Sequence, residues 1–167
     1  VQAEKTIKYD IDGYDILTDA LKTLLNQYPG LEAGEKIKFT TLKEDSGIAF
    51  EPVSGAVIYS SKKYITGLTD QLCDYPFYII YRTALDSQES KIDIKEFLDN
   101  MGKWLEKQPV AIDNTDYKLD QYPPLKNGRT IEEITRTSPS YPEELQENGV
   151  QDWVIGMTLR YRYKFKK

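Results

Sequence analysis

QDWVIGMTLRYRYKFKK, residues Gln151 to Lys167, alternates along its whole length. Trp153, Ile155, Met157, Leu159, Tyr161, Tyr163 and Phe165 take every second position. Val154, Gly156, Thr158, Arg160, Arg162 and Lys164 fall between them. Period two marks a β-strand, because successive side chains point to opposite faces of a sheet. One face of this strand is apolar and aromatic, and the other starts neutral and turns basic. The spacing predicts a long closing strand that lays its apolar face on a core.

Outward from that strand, two helices are expected. Tyr14, Leu17, Leu21, Leu24, Leu25 and Tyr28 recur at spacings of three and four, one face of a helix over 12–28. Asp10 or Asp12 can cap its start, and Pro29-Gly30 stops it. Ile94, Phe97, Leu98, Met101, Trp104 and Leu105 form the stripe of a second helix over 91–107. Gly102 inside it costs about 1 kcal/mol relative to Ala, which a close helix-to-sheet approach would explain.

Between the helices the pattern is strand-like. Glu35–Leu42 and Ile48–Phe50 read as a possible hairpin around Glu44-Asp45-Ser46-Gly47. Ala56–Tyr59 reads as a short strand, with Tyr64–Gly67 continuing the sheet. Phe77–Thr83, opened by Asp74-Tyr75-Pro76, is apolar at successive positions and predicts an interior strand covered on both faces. Arg129–Thr137 is a further strand, and 143–148 has room for one helical turn. The expectation is an α+β fold in one domain, 1–167. It has one mixed or mainly antiparallel sheet with two helices packed on one face.

Composition narrows the function. Apolar residues make up 40% and charged residues 29% of 167, ordinary for a globular chain with a real core. No apolar run approaches the roughly 20 residues of a membrane span, so no membrane partner is expected. Val1–Lys5 is polar and does not read as a secretory signal. The net charge of -5 argues against a surface built to grip nucleic acid. The single cysteine, Cys73, cannot form a disulfide within the chain and reads as a small buried hydrophobe. Thirteen tyrosines suit cores and protein interfaces.

Catalytic signals are missing. With no histidine, the commonest general base, the commonest metal ligand and the usual partner of a nucleophilic Ser or Cys are gone. No catalytic, metal or cofactor-binding residues are assigned, and no cofactor is expected. The glycines are scattered and form no phosphate loop. Asp113, Asn114, Asp116 and Asp120 lack the Gly and terminal Glu of a calcium loop. Glu143, Glu144 and Glu147 read as a solvated acidic turn, and a small carboxylate-based enzyme stands as the alternative of a different class.

The row Arg160, Arg162, Lys164, with Lys166 and Lys167, has three readings. It is a solvated edge protected by cations, a contact to passing DNA phosphates, or a partner for acids on a neighbouring subunit. Glu132, Glu133, Glu143, Glu144, Glu147 and Asp152 supply such acids, and patches on opposite flanks would suit a head-to-tail ring. Arg160, Arg162, Lys164, Glu143, Glu144 and Glu147 are therefore the candidate interface.

The order of several short blocks carries a resemblance. They are Tyr14-Asp15-Ile16-Leu17 leading to Tyr28-Pro29-Gly30-Leu31, Tyr64-Ile65-Thr66-Gly67 before Tyr75-Pro76-Phe77, Trp104-Leu105, and the closing Tyr161-Arg162-Tyr163. Over nearly its whole length the chain resembles the tail terminator or minor capsid proteins of long-tailed bacteriophages and prophages of Gram-positive bacteria. The resemblance implies a sandwich-like α/β subunit and a virion protein made in the host bacterial cytoplasm. It implies a homo-hexameric ring that caps the tail tube and meets the head connector or neck protein, with DNA at most passing through the lumen. Another head–tail joining or tube-associated protein is the nearest alternative.

Overall fold

The computed structural model describes residues 6–84 and 88–166. The expectations for Val1–Lys5 and for Lys167 of the basic row lie outside the described residues. The elements run α1 Ile11–Leu25, β1 Ile37–Phe39, β2 Gly47–Pro52, β3 Val57–Lys63, β4 Leu68–Ala84 and α2 Gln88–Leu105. They continue with β5 Val110–Ile112, β6 Thr115–Tyr117, β7 Arg129–Arg136, β8 Tyr141–Pro142 and β9 Val150–Lys166. Among the described residues the fold is α+β, with two helices, a seven-stranded mixed, mostly antiparallel sheet and, where one sheet was expected, a separate two-stranded sheet of β5 and β6.

Two strands of 17 residues, β4 and β9, form the spine of the sheet. They pair antiparallel without a break, from Leu68 opposite Lys166 to Ala84 opposite Val150. The outer edge of β4 is shared end to end by β2, on 77–82, and β3, on 69–74. The outer edge of β9 is shared in the same way by β7 and β8. Two short strands therefore divide each long edge, and the sheet stays narrow for its length.

Pro76 shows why β4 was expected to begin later. Proline has no N–H to give to a ladder and is usually read as a strand boundary. Here it falls at the junction of β2 and β3, where β4 needs no donor. Its carbonyl, on the same side, accepts from Val53 N–H at 3.0 Å. The strand runs straight through it, and Cys73 lies mid-strand and fully buried.

The odd-numbered residues of β4 and β9 enter the core. Cys73, Tyr75, Phe77, Ile79, Ile155, Leu159 and Tyr161 are closed to solvent, together with Leu17, Leu21 and Leu25 of α1 and Leu98, Met101 and Leu105 of α2. Each such aliphatic side chain contributes roughly 1.5–3 kcal/mol of transfer free energy. Tyr28, past the end of α1, sets its ring edge against Phe97 and Trp104 at 5.6 and 5.5 Å. At Gly102 α2 lies close against the sheet. A Cβ there would lie 2.6 Å from Arg136 Cδ and 3.1 Å from Ile155 Cδ1, so the predicted close approach is present.

Four further expectations are corrected. β1 and β2 do not form a hairpin, because Ile37 pairs Ile48 and Phe39 pairs Phe50 in parallel. Asn26 fixes that edge by a two-way amide pair with Ile37, giving to its carbonyl at 2.9 Å and accepting from its N–H at 2.8 Å. Tyr64–Gly67 does not continue the sheet but turns β3 into β4, closed by Tyr64 N–H to Leu68 O at 2.8 Å. β4 is interior but not covered on both faces, since Tyr78 is 39% exposed. The 143–148 segment makes no helical turn and loops back to β9 instead, through Glu143 N–H to Asp152 O at 2.8 Å.

Candidate assembly surface

The even-numbered residues of β4 and β9 make the second face of the sheet, buried at Val150, Asp152, Val154 and Gly156 and more open from Thr158 onward, where the basic row lies. Asp74 pairs Arg160 in register and the two side chains bond at 2.9 Å. Arg160 also lies over the Tyr59 ring at 5.1 Å. Arg162 reaches Asp70 on one side at 2.9 Å and Glu132 on the other at 2.6 Å. At the other end of the same face Arg82 holds Asp152 at 2.8 Å. Cross-strand opposite-charge pairs of this kind support register. Two of the three candidate cations thus already have carboxylates of their own chain.

Lys164 differs. It is exposed, and among the described residues no carboxylate lies within ion-pair distance of it. Glu143, Glu144 and Glu147 are also exposed, on the loop that leads into β9. The candidate acids and Lys164 are not brought together. Glu143 is tied beside Asp152, and Lys164 lies twelve residues further along β9, roughly 40 Å away at the usual rise of a strand.

The basic end of β9 belongs to an arm. β7 leaves β9 at Tyr163, while β3, β4 and β9 continue to Lys63, Leu68 and Lys166. Beyond Cys73 and Tyr161 the strands bury only Thr69. The arm therefore extends about 15 Å past Cys73 and Tyr161, its last roughly 10 Å on three strands. Its tip is a tight turn with a second bond, Gly67 N–H to Tyr64 O at 3.0 Å. Lys62 sits over the Tyr64 ring at 5.1 Å, and Ile65 is fully exposed.

At the root of the arm is a buried charge cluster that sequence reasoning did not find. Asp10 caps α1 by accepting from Gly13 N–H at 3.0 Å. Its carboxylate also takes Arg129 Nε and Nη2 at 2.9 and 2.7 Å and the Tyr161 hydroxyl at 2.7 Å. The Arg129 guanidinium stacks on the Tyr163 ring at 3.8 Å. Burial pushes the Asp10 carboxyl up, but the bonds from Arg129, Tyr161 and Gly13 outweigh it and hold the pKa below its usual value. Burial and the bond to Asp10 both push the Tyr161 hydroxyl up, and burial raises the Cys73 thiol to about 11. Asp10 was legible as a helix cap, but partners 119 and 151 residues away carry no local signal.

The cluster is saturated and closed, so it stabilises rather than reacts. Among the described residues no group of three or more His, Cys, Asp or Glu could hold a metal. None of the helices described is long and apolar enough to cross a membrane. The sequence matches no family model. No curated protein matches it either.

Proposed function

We propose that this chain is a structural protein of a long-tailed phage virion, a tail terminator. In this reading it is made in the host bacterial cytoplasm and assembles as a ring, as a homo-hexamer by the resemblance. The ring caps the tail tube, stops its growth and joins it to the head connector, with DNA passing through the lumen. The subunit is then a terminator-like sandwich with both helices packed on one face of the sheet.

The observation that carries the reading is the separation of charge along β9. The acidic loop lies at one end, with Glu143, Glu144 and Glu147 exposed, and the cationic arm with Lys164 at the other. A surface of one sign at one flank and of the other sign at the opposite flank suits a head-to-tail contact, which closes into a ring if the rotation per subunit allows. The resemblance of the sequence blocks supplies the particular ring.

The test is incubation of the purified chain with tail tubes, followed by electron microscopy and native mass measurement. A ring at one end of the tube is expected. A protein that stays monomeric at high concentration and ignores tubes would sink the proposal. A neck or tube-associated role is the second reading, favoured by the same arm. Labelling in intact virions separates the two by position.

A further inference from the structure

A second apolar feature lies at the base of the arm. Tyr9, Ile11, Tyr14, Val53, Gly55 and Ala56 line an open-mouthed hollow of about 540 Å³ beside the start of α1. Ile11 is 75% and Val53 53% exposed, so its rim is apolar as well as its wall. The charged residues of the lining are carboxylates, Asp10, which is spent on Arg129, and Asp15, which is exposed. Exposed Asp12 follows Ile11 in the first turn of α1.

The arm tip is its opposite in shape and charge. Tyr64 and Ile65 project from a turn that is hydrogen-bonded at both ends. Lys62 and Lys63 precede them, and Lys164 and Lys166 stand on the adjoining strand, all exposed. A rigid tip loses little conformational freedom on docking. The hollow falls within the roughly 300–1,000 Å³ of sites that enclose a ligand of several side chains' bulk. Cationic flanks beside an apolar knob match carboxylates beside an apolar hollow.

We propose that the β3–β4 tip, Tyr64-Ile65, docks into the Tyr9–Ile11–Val53 hollow of a second copy of this chain. This rests on the ring reading above for its biological setting and specifies the contact. Knob and hollow cannot meet within one copy, since β3 holds them roughly 20 Å apart. Each copy can offer its knob to one neighbour and its hollow to another. Such a heterologous contact propagates and closes into a ring or runs on as a filament.

The test pairs Ile65→Cys with Val53→Cys in the full chain. A disulfide needs Cα atoms within about 7 Å, so a 53–65 link must join two copies. Cys73 does not compete, being fully buried. Mild oxidation of the double variant should give a ladder of linked oligomers. Mixed light and isotope-labelled chains should yield a 53–65 cross-linked peptide of both labels. In parallel, Ile65→Asp should weaken self-association at least tenfold by sedimentation, with thermal unfolding unchanged because the residue is fully exposed. Absence of the 53–65 link, or self-association indifferent to Ile65→Asp, overturns the docking. Loss of tube binding in Ile65→Asp without a 53–65 link assigns the tip to the tube protein instead and overturns it too. Rings that form without the link leave the terminator reading standing. Linked oligomers that ignore tail tubes retain the docking and remove the terminator.

Discussion

Arg129→Met removes the cation that Asp10 holds at the root of the arm. The pair is nearly closed to solvent, with side chains 2% and 6% exposed. Removing one partner of a buried pair costs about 3–5 kcal/mol, because the other charge stays buried. Arg129→Met should fall at the low end, since Asp10 keeps Gly13 N–H and the Tyr161 hydroxyl. Asp10→Ala should cost more. It strands the guanidinium and also deletes the cap of α1, itself worth about 1 kcal/mol. Against a total of roughly 5–15 kcal/mol, either change is large. Asp10→Asn combined with Arg129→Met should lose less than the two single changes summed, by about 1–3 kcal/mol of coupling. Urea unfolding followed by tryptophan fluorescence reads this directly, because Trp104 and Trp153 are both buried. A loss below about 1 kcal/mol for Arg129→Met, or strict additivity, would refute the charge-pair account.

Acid supplies the second arm of the same test. The folded pKa of Asp10 lies below its usual 3.8, so the native state binds the proton less readily than the unfolded chain. The stability this provides is complete above about pH 4 and is lost as pH falls through the folded value. Without Arg129 most of the depression goes. The stability gap between the native protein and Arg129→Met should therefore narrow below about pH 4. A gap constant from neutral pH into that range would mean that packing, not charge, accounts for the loss.

Gly102→Ala gains about 1 kcal/mol of helix propensity but forces a methyl onto Arg136 and Ile155. Overpacking costs about 1–3 kcal/mol, so a lowered melting temperature is expected and a raised one counts against the close approach. Gly128→Ala should be worse, because φ is +77° and the added Cβ would sit 2.2 Å from the Lys164 carbonyl oxygen, which cannot move without breaking β9. Its unfolding midpoint should fall below that of Gly102→Ala. Lys164→Glu should leave stability within about 0.5 kcal/mol and weaken assembly, most at low salt, with Asp15→Lys in a mixed partner restoring it. Sedimentation at two salt concentrations checks this, and unmoved association rejects the charge contact. Arg160→Glu with Arg162→Glu should lower stability, because both break pairs inside the chain, and weaken assembly through the loss of register in the arm. Unchanged assembly in that variant reduces the row to a solvated face.

The spine strand was readable because its environment is periodic. Trp153 to Tyr161 face one core at every second residue, and period two survives any error about neighbours. The helical stripes of Leu17 to Leu25 and Ile94 to Leu105 were readable for the same reason. What failed depended on pairing. Nothing local in Ile37–Phe39 tells parallel from antiparallel, since the choice is made by Asn26 holding Ile37 from the end of α1. Pro76 hid half of β4, because its harmlessness depends on a junction between two other strands. Tyr64–Gly67 looked like strand because its aromatic and β-branched residues are apolar, whereas they are apolar at a tip. Asp74 and Asp70 lie 86 and 92 residues before Arg160 and Arg162, so the two arginines of the row looked free when both were paired.

That pairing changes where an interface can draw energy. Ion pairs this exposed are weak, so Arg160 and Arg162 add little to stability and mainly fix register along β4 and β9. A neighbouring carboxylate approaching Arg160 would have to displace Asp74, exchanging one such pair for another with almost no net gain. Lys164 has no such competitor among the described residues, and Ile65 has apolar surface that gains by leaving water. Contact energy between copies therefore concentrates at the far end of the arm, beyond the paired arginines. Charge on the exposed lysines speeds and orients the encounter, and the apolar tip determines how long it lasts.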